Sequence, residues 1–367
     1  MQKRLKSIDI FRGFDIAFMI FLHMSIWGRK FGSNIYFDLI VNLIDGIGAE
    51  GFVFISGLSL CLSYRNQMLT IPGKKSLEYK KFRLMHFMRA FLLFFLGFIQ
   101  YNLLLTITWG SLEYLWVWNI FQTLAFCMWM IWPLLKANKI IKIGSAIIFL
   151  GLYQLLLMLT NQNGPIYYIL YNGFLFSPIL GYFPFFIFGT LMGDIIYENV
   201  LQEETMISNR AFFKKFSIPL LILGGLTIVI IFSIDWECVL EGNSICWLIY
   251  SCGIQFVVFN ILFMAEKSHY FEFKRDYRFF FYFSYYSLTV FVVHSVVFSY
   301  LIGLVSYEFF LFKYFISYFA LIIGFFIVLK FAYKKYGKKV SLKYWMSQLA
   351  RYLVLKFMKE QSIIIED

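Results

Sequence analysis

Residues 9–23 read DIFRGFDIAFMIFLH, an apolar run that nonetheless carries Asp9, Arg12, Asp15 and His23. Ionisable side chains at bilayer depth are costly and usually face a bundle interior or a water-filled cavity. Arg12 and His23 are eleven residues apart. That is close to three helical turns, so they fall on nearly one face, about 16 Å apart along the axis. Asp9 sits one turn before Arg12 on that face, and Asp15 lies somewhat to its side. The four make one polar stripe that is basic near one end and closes on an imidazole at the other. A guanidinium can hold phosphate or orient a carboxylate. An imidazole can move a proton near neutral pH with no metal. The plainer reading is an Asp9–Arg12 pair at one interface and a hydrogen-bonded His23 at the other. The shared stripe favours chemistry for His23.

The elements that position this stripe follow from composition. Of 367 residues, 60% are hydrophobic and only 15% charged, with a mean hydropathy of +0.72. Soluble domains carry roughly a quarter charged residues, so this chain lacks the groups to wet its own surface. The expected fold is an all-α polytopic membrane bundle. A crossing helix needs about 20 largely apolar residues, which gives ten spans: 8–27, 44–64, 84–106, 113–135, 140–159, 178–197, 216–235, 245–265, 281–303 and 311–333.

The basic residues test that count. Alternate connections and the two ends hold 28 Lys and Arg, the remaining connections hold 3 (Arg29, Lys30 and Lys313), and Arg12 and Arg89 lie within spans. By the positive-inside rule both termini are cytoplasmic. The net charge of +12 therefore reports topology, with no call for nucleic acid as a partner. Residues 1–333 form the transmembrane domain. Residues 334–367 form a basic tail in which Leu342, Trp345, Leu349 and Leu353 recur at helical spacing, as expected of a helix lying on an anionic leaflet. The start MQKRLK mimics a signal peptide but lacks a small-residue cleavage site, so the first span is expected to stay. Cys61, Cys127 and Cys252 lie in apolar runs; Cys238 and Cys246 flank an acidic loop and are either a pair or two free thiols. No Cys/His spacing suggests a metal. Richness in Lys, Ile, Phe and Tyr fits a prokaryote with an AT-rich genome, hence a cell membrane.

RLKSIDIFRGFDIAFMIFLH, followed by GFVFISGLSLCLS at 51–63, resembles the opening of the heparan-α-glucosaminide N-acetyltransferase-like transmembrane acyltransferases. The arginine and histidine eleven residues apart also resemble the related integral-membrane acyltransferase type 3 family. GYFPFFIFGTLMGD (181–194) and YYSLTVFVVHSVVF (285–298) are weaker matches. The resemblance implies a bundle of ten or eleven helices that takes an acyl group from cytoplasmic acyl-CoA, acetyl-CoA first among donors. It delivers that group to a sugar hydroxyl or amine on the far side. It gives Arg12 and His23 the motif roles and makes a homodimer plausible. The lysosomal branch uses a histidine in the first outer loop; this chain has none between Trp27 and Asp45, so His23 takes that place.

Against that background the remaining polar residues sort themselves. Asp38 is the outer carboxylate best placed to orient an acceptor or assist His23. Arg12, Lys81, Arg83 and Arg89 are candidates for the phosphates of acyl-CoA. Asp9, Asp15, Ser56, Asn119, Gln122 and His294 are candidates to line the cavity. Asn119, Gln122 and Asn102 would alternatively bridge helices, and Ser56 with Gly57 would let helices approach closely. His86 and His269, beside basic clusters, are expected to be solvated. The competing function is a proton-coupled transporter or channel, since an intramembrane Asp/Arg/His stripe also suits a proton relay.

Overall fold

The structure is a computed structural model that describes residues 5–27, 41, 43–159, 170, 178–202, 206–240, 244–268, 277–304 and 311–366. Among these the regular elements are helices: α1 (Lys6–Trp27), α2 (Ala49–Thr70), α3 (Leu77–Gly97), α4 (Ile120–Leu134), α5 (Lys139–Leu159), α6 (Ile179–Ile196), α7 (Ile218–Ile234), α8 (Ile245–Lys267), α9 (Arg278–Tyr285), α10 (Ser287–Leu304), α11 (Leu311–Tyr336) and α12 (Leu342–Glu366), joined in places by shorter turns. Eight helical stretches among the described residues are long and apolar enough to cross a membrane. They stand where the second to eighth and the tenth spans are expected. At the first and ninth positions lie α1 and the α9–α10 pair. The chain is thus an all-α polytopic membrane protein.

One boundary moves for a local reason. The third span begins at Leu77 rather than at residue 84, because Ser76 caps it: its hydroxyl accepts from the Tyr79 amide at 3.1 Å. Satisfying such an orphan amide typically contributes about 1 kcal/mol. Lys80, Lys81 and Arg83 therefore sit on a helix and not in a loop. His86 is buried, with Nε2 2.6 Å from the Met128 carbonyl, which corrects the expectation of a solvated side chain. Lys142, counted above as a loop charge, lies in the first turn of α5 and is fully buried.

The chain divides into two compact units, one made of Met1–Ile55 with Glu198–Leu342 and the other of Ser56–Tyr197 with Lys343–Asp367. In the first, α1 packs against α8, α9, α10 and α11, and α7 packs on α8. Phe11 sits fully buried between Phe54 and Phe259, with ring centroids at 6.4 and 6.3 Å. Gly13 is required where α1 meets α9: a Cβ there would stand 2.1 Å from the Phe280 carbonyl oxygen. At the end of α11, Gly337 takes φ +55°, the left-handed conformation that stops a helix at low cost. Its carbonyl accepts from the Tyr286 hydroxyl at 2.5 Å.

In the second unit α3 packs on α4, and α5 and α4 pack on α6. Gly57 allows α2 to touch α6, where a Cβ would meet the Phe186 carbonyl oxygen at 2.2 Å. A π-helical turn, Phe98–Leu103, ends the third span and rotates Asn102 inward. The Asn102 amide donates to the carbonyls of Tyr114, Leu115 and Val117.

Candidate functional site

The stripe on α1 is held by groups from distant parts of the first unit. At its basic end, the first two amides of α1, Lys6 and Ser7, donate to the carboxylate of Glu266 at 2.9 and 2.8 Å. A helix N-terminus favours such an anion. Asp9 is buried and accepts from the Ser284 hydroxyl at 3.1 Å. Arg12 is half-buried. Asp15 is 1% exposed and feels the charges of Arg12 and of the buried Glu50. The amide of Gln255 donates to the Gly46 carbonyl at 2.6 Å, which turns its oxygen the other way. That oxygen and Asp15 Oδ1 both reach the hollow over Gly51, each 3.0 Å from where a Cβ would stand.

At the far end of the stripe, His23 meets His294. Nδ1 of His23 is 2.7 Å from Nε2 of His294, and the rings lie end to end, with centroids 5.0 Å apart and an interplanar angle of 17°. Nδ1 of His294 lies 3.1 Å from the Val290 carbonyl one turn earlier on α10. Phe291 stands edge-on to both imidazoles. Two coupled imidazoles inside an apolar helix bundle form an arrangement able to accept and return a proton.

The second unit holds a different set of the expected residues. Lys81 and Arg89 line a cavity of about 370 Å³ together with Tyr64, Glu78, His86 and Trp132, a volume within the usual range for small-molecule sites. Among the described residues no carboxylate forms an ion pair with Arg89. Arg83 is exposed and is not among the residues that line this cavity. Asn119 and Gln122, candidates either to bridge helices or to line a cavity, stand at the start of α4. The Asn119 side chain accepts from the Phe121 and Gln122 amides while Gln122 accepts from the Asn119 amide, a capping box. Asn119 also donates to the Gly97 carbonyl at 3.1 Å. Ser56 is half-buried beside Gly57. Asp38 and His269 lie outside the described residues.

Sequence reasoning missed a buried cluster in this unit. Asp194 Oδ1 accepts from Arg65 at 2.6 Å and from the Cys61 thiol at 3.2 Å, while Oδ2 is paired with Lys142. Asp194 was visible as the only acid in the apolar run GYFPFFIFGTLMGD. Its partners come from two other helices, with no spacing to announce them. The five cysteines, Cys238 and Cys246 included, are free thiols. Among the described residues no group of three or more His, Cys, Asp or Glu side chains is arranged to hold a metal ion.

The profile of the family described as heparan-alpha-glucosaminide N-acetyltransferase, catalytic, matches residues 4–234, more than half of the chain. No curated protein matches it. The matched stretch contains Asp9, Arg12, Asp15 and His23 and ends well before His294.

Proposed function

Because the chain belongs to the heparan-alpha-glucosaminide N-acetyltransferase catalytic family, a family of membrane acyltransferases, we propose that it moves an acetyl group from acetyl-CoA to a hydroxyl or amine of a sugar-type acceptor, with His23 as the base. The observation that supports this reading is the imidazole pair itself, a proton acceptor whose His23 member stands on α1, within the family-matched residues. His23 takes the acceptor's proton as the acceptor attacks the thioester carbonyl. Once the carbon–sulfur bond has broken, it returns that proton to the thiolate.

The donor's phosphates are assigned to Arg12, Lys81, Arg83 and Arg89, of which Lys81 and Arg89 line one cavity. Asp38 is assigned to the acceptor. The donor is assigned to the basic, cytoplasmic side and the acceptor to the opposite side, in a cell membrane.

The test is turnover of acetyl-CoA by the purified full chain in lipid nanodiscs. Wild type is expected to bind acetyl-CoA and release free CoA. His23→Ala is expected to bind it but turn over about 10²- to 10⁴-fold more slowly, the usual contribution of a general base. Absence of acyl-CoA binding in both proteins would remove the donor and with it the enzyme reading. Proton-coupled uptake without any dependence on CoA would then identify the stripe as a transport path.

A further inference from the structure

The contacts of the imidazole pair determine which nitrogens carry hydrogen. A carbonyl oxygen only accepts, so the 3.1 Å contact between His294 Nδ1 and the Val290 carbonyl places a hydrogen on Nδ1 of His294. A neutral imidazole has one N–H and one lone pair, so Nε2 of His294 is the acceptor. The 2.7 Å contact then has a single direction: Nδ1–H of His23 donates to Nε2 of His294. The reverse direction would make His294 a cation inside an aromatic cluster with Phe291, at the cost of burying a charge.

We propose that His294 is a positioning residue that holds His23 with its hydrogen on Nδ1, so that proton uptake in acyl transfer falls to Nε2 of His23 alone. The inference rests on the proposed function for its chemistry but not for its geometry, and His294 lies outside the family-matched residues. In the step itself, the acceptor's O–H or N–H proton passes to Nε2 while the acceptor's electron pair forms the bond to the thioester carbonyl carbon. The carbon–sulfur bond breaks with its electrons going to sulfur, and the proton on Nε2 goes to the departing thiolate. Nδ1 keeps its own hydrogen throughout, and His294 accepts that hydrogen bond more strongly when the His23 ring carries charge. The same geometry fixes the ring plane, because the two imidazoles are near coplanar and Phe291 stands edge-on to both.

Two measurements on the full chain in nanodiscs test this. In protein labelled with ¹⁵N-histidine, long-range ¹⁵N–¹H correlations read the tautomer of His23, identified by its absence in His23→Gln. Wild type is expected to show a protonated Nδ1 and a bare Nε2; a bare Nδ1 would overturn the proposal whatever the activity. Kinetics supply the second readout. His294→Ala is expected to lower kcat about 10- to 100-fold without changing KM for acetyl-CoA, the range seen when the partner that orients a functional histidine is removed. His294→Gln keeps an acceptor oxygen where Nε2 stands, and is expected to recover turnover to within about five-fold of wild type and to keep the wild-type tautomer. Equal losses in the alanine and glutamine variants, with the tautomer retained in the latter, would mean that His294 acts only by packing and would overturn the proposal. A wild type that shows the Nδ1–H signature but transfers no acyl group would remove the proposed function and leave the tautomer assignment standing.

Discussion

At the scale of single residues, the imidazole pair makes a definite statement about pH. Catalysis needs Nε2 of His23 unprotonated at the start. Acidification puts a proton there and removes the base, so kcat/KM is expected to rise with pH across one histidine-like ionisation and then level off. Because the two rings share a hydrogen bond, the apparent value belongs to the pair, and His294→Ala should move the midpoint. A kcat/KM that falls as the pH rises through the acid range would exclude the assignment. What was legible at this scale was the anomaly: four ionisable residues in an apolar run. Their partners were not. Ser284 is 275 positions from Asp9 and His294 is 271 from His23, and nothing in the spacing of either helix points to its partner. Glu50 and Gln255 escaped notice for the same reason, since periodicity within a helix carries no information about which other helix it faces.

At the scale of elements, the critical positions are those where a missing side chain sets the distance between helices. Gly13→Ala puts a methyl group 2.1 Å from the Phe280 carbonyl, and backbone cannot yield as a flexible side chain would. The variant is expected to lose about 1–3 kcal/mol of stability through overpacking, seen as a lowered midpoint in thermal unfolding of the solubilised chain. Gly144→Ala is the control. Nothing lies within 4 Å of its added Cβ, and the change is expected to be neutral or to stabilise α5 by about 0.5–1 kcal/mol. Equal midpoints for the two variants would show that α1 and α9 have room to separate. Hydropathy placed eight of the spans well. It placed the start of α3 too late, because a serine cap and a charged first turn read as loop when judged by polarity alone. The polar amides at the start of α4 left two readings open, a bridge between helices and a cavity lining. A buried Asn–x–x–Gln looks like a cavity lining until its hydrogen bonds to the start of its own helix are seen.

At the scale of the whole molecule, each unit has its own polar fastening. In the second, Asp194 on α6 gathers Arg65 from α2 and Lys142 from α5. Lys142→Met removes one partner of a buried pair and is expected to cost up to about 3–5 kcal/mol, lowering the unfolding midpoint without altering the histidine pH profile, which belongs to the first unit. An unchanged midpoint would mean that Arg65 alone suffices. The count of basic residues by connection survives the removal of Lys142 from the loop charges, because the other loops carry the asymmetry. The division into two units was not legible at all. It groups the first 55 residues with a stretch that begins at Glu198, and a linear reading of hydropathy has no means of joining them.

That discontinuity bears on how the protein is made. The helix that carries His23 leaves the ribosome well before Glu266, which satisfies its first amides, and His294, which orients its imidazole. At roughly 5–20 residues per second of synthesis, the 271 residues that separate the two histidines take on the order of a quarter-minute to a minute to emerge. The larger part of the second unit, Ser56–Tyr197, is encoded between the two halves of the first and can pack during that interval. The reactive helix waits in or beside the membrane with its polar face uncovered until the last third of the chain arrives. A chain cut short before residue 266 would keep most of the family-matched sequence and lose the partners that make its polar face tolerable in lipid. Such fragments should be recognised and removed by the cell's membrane quality control.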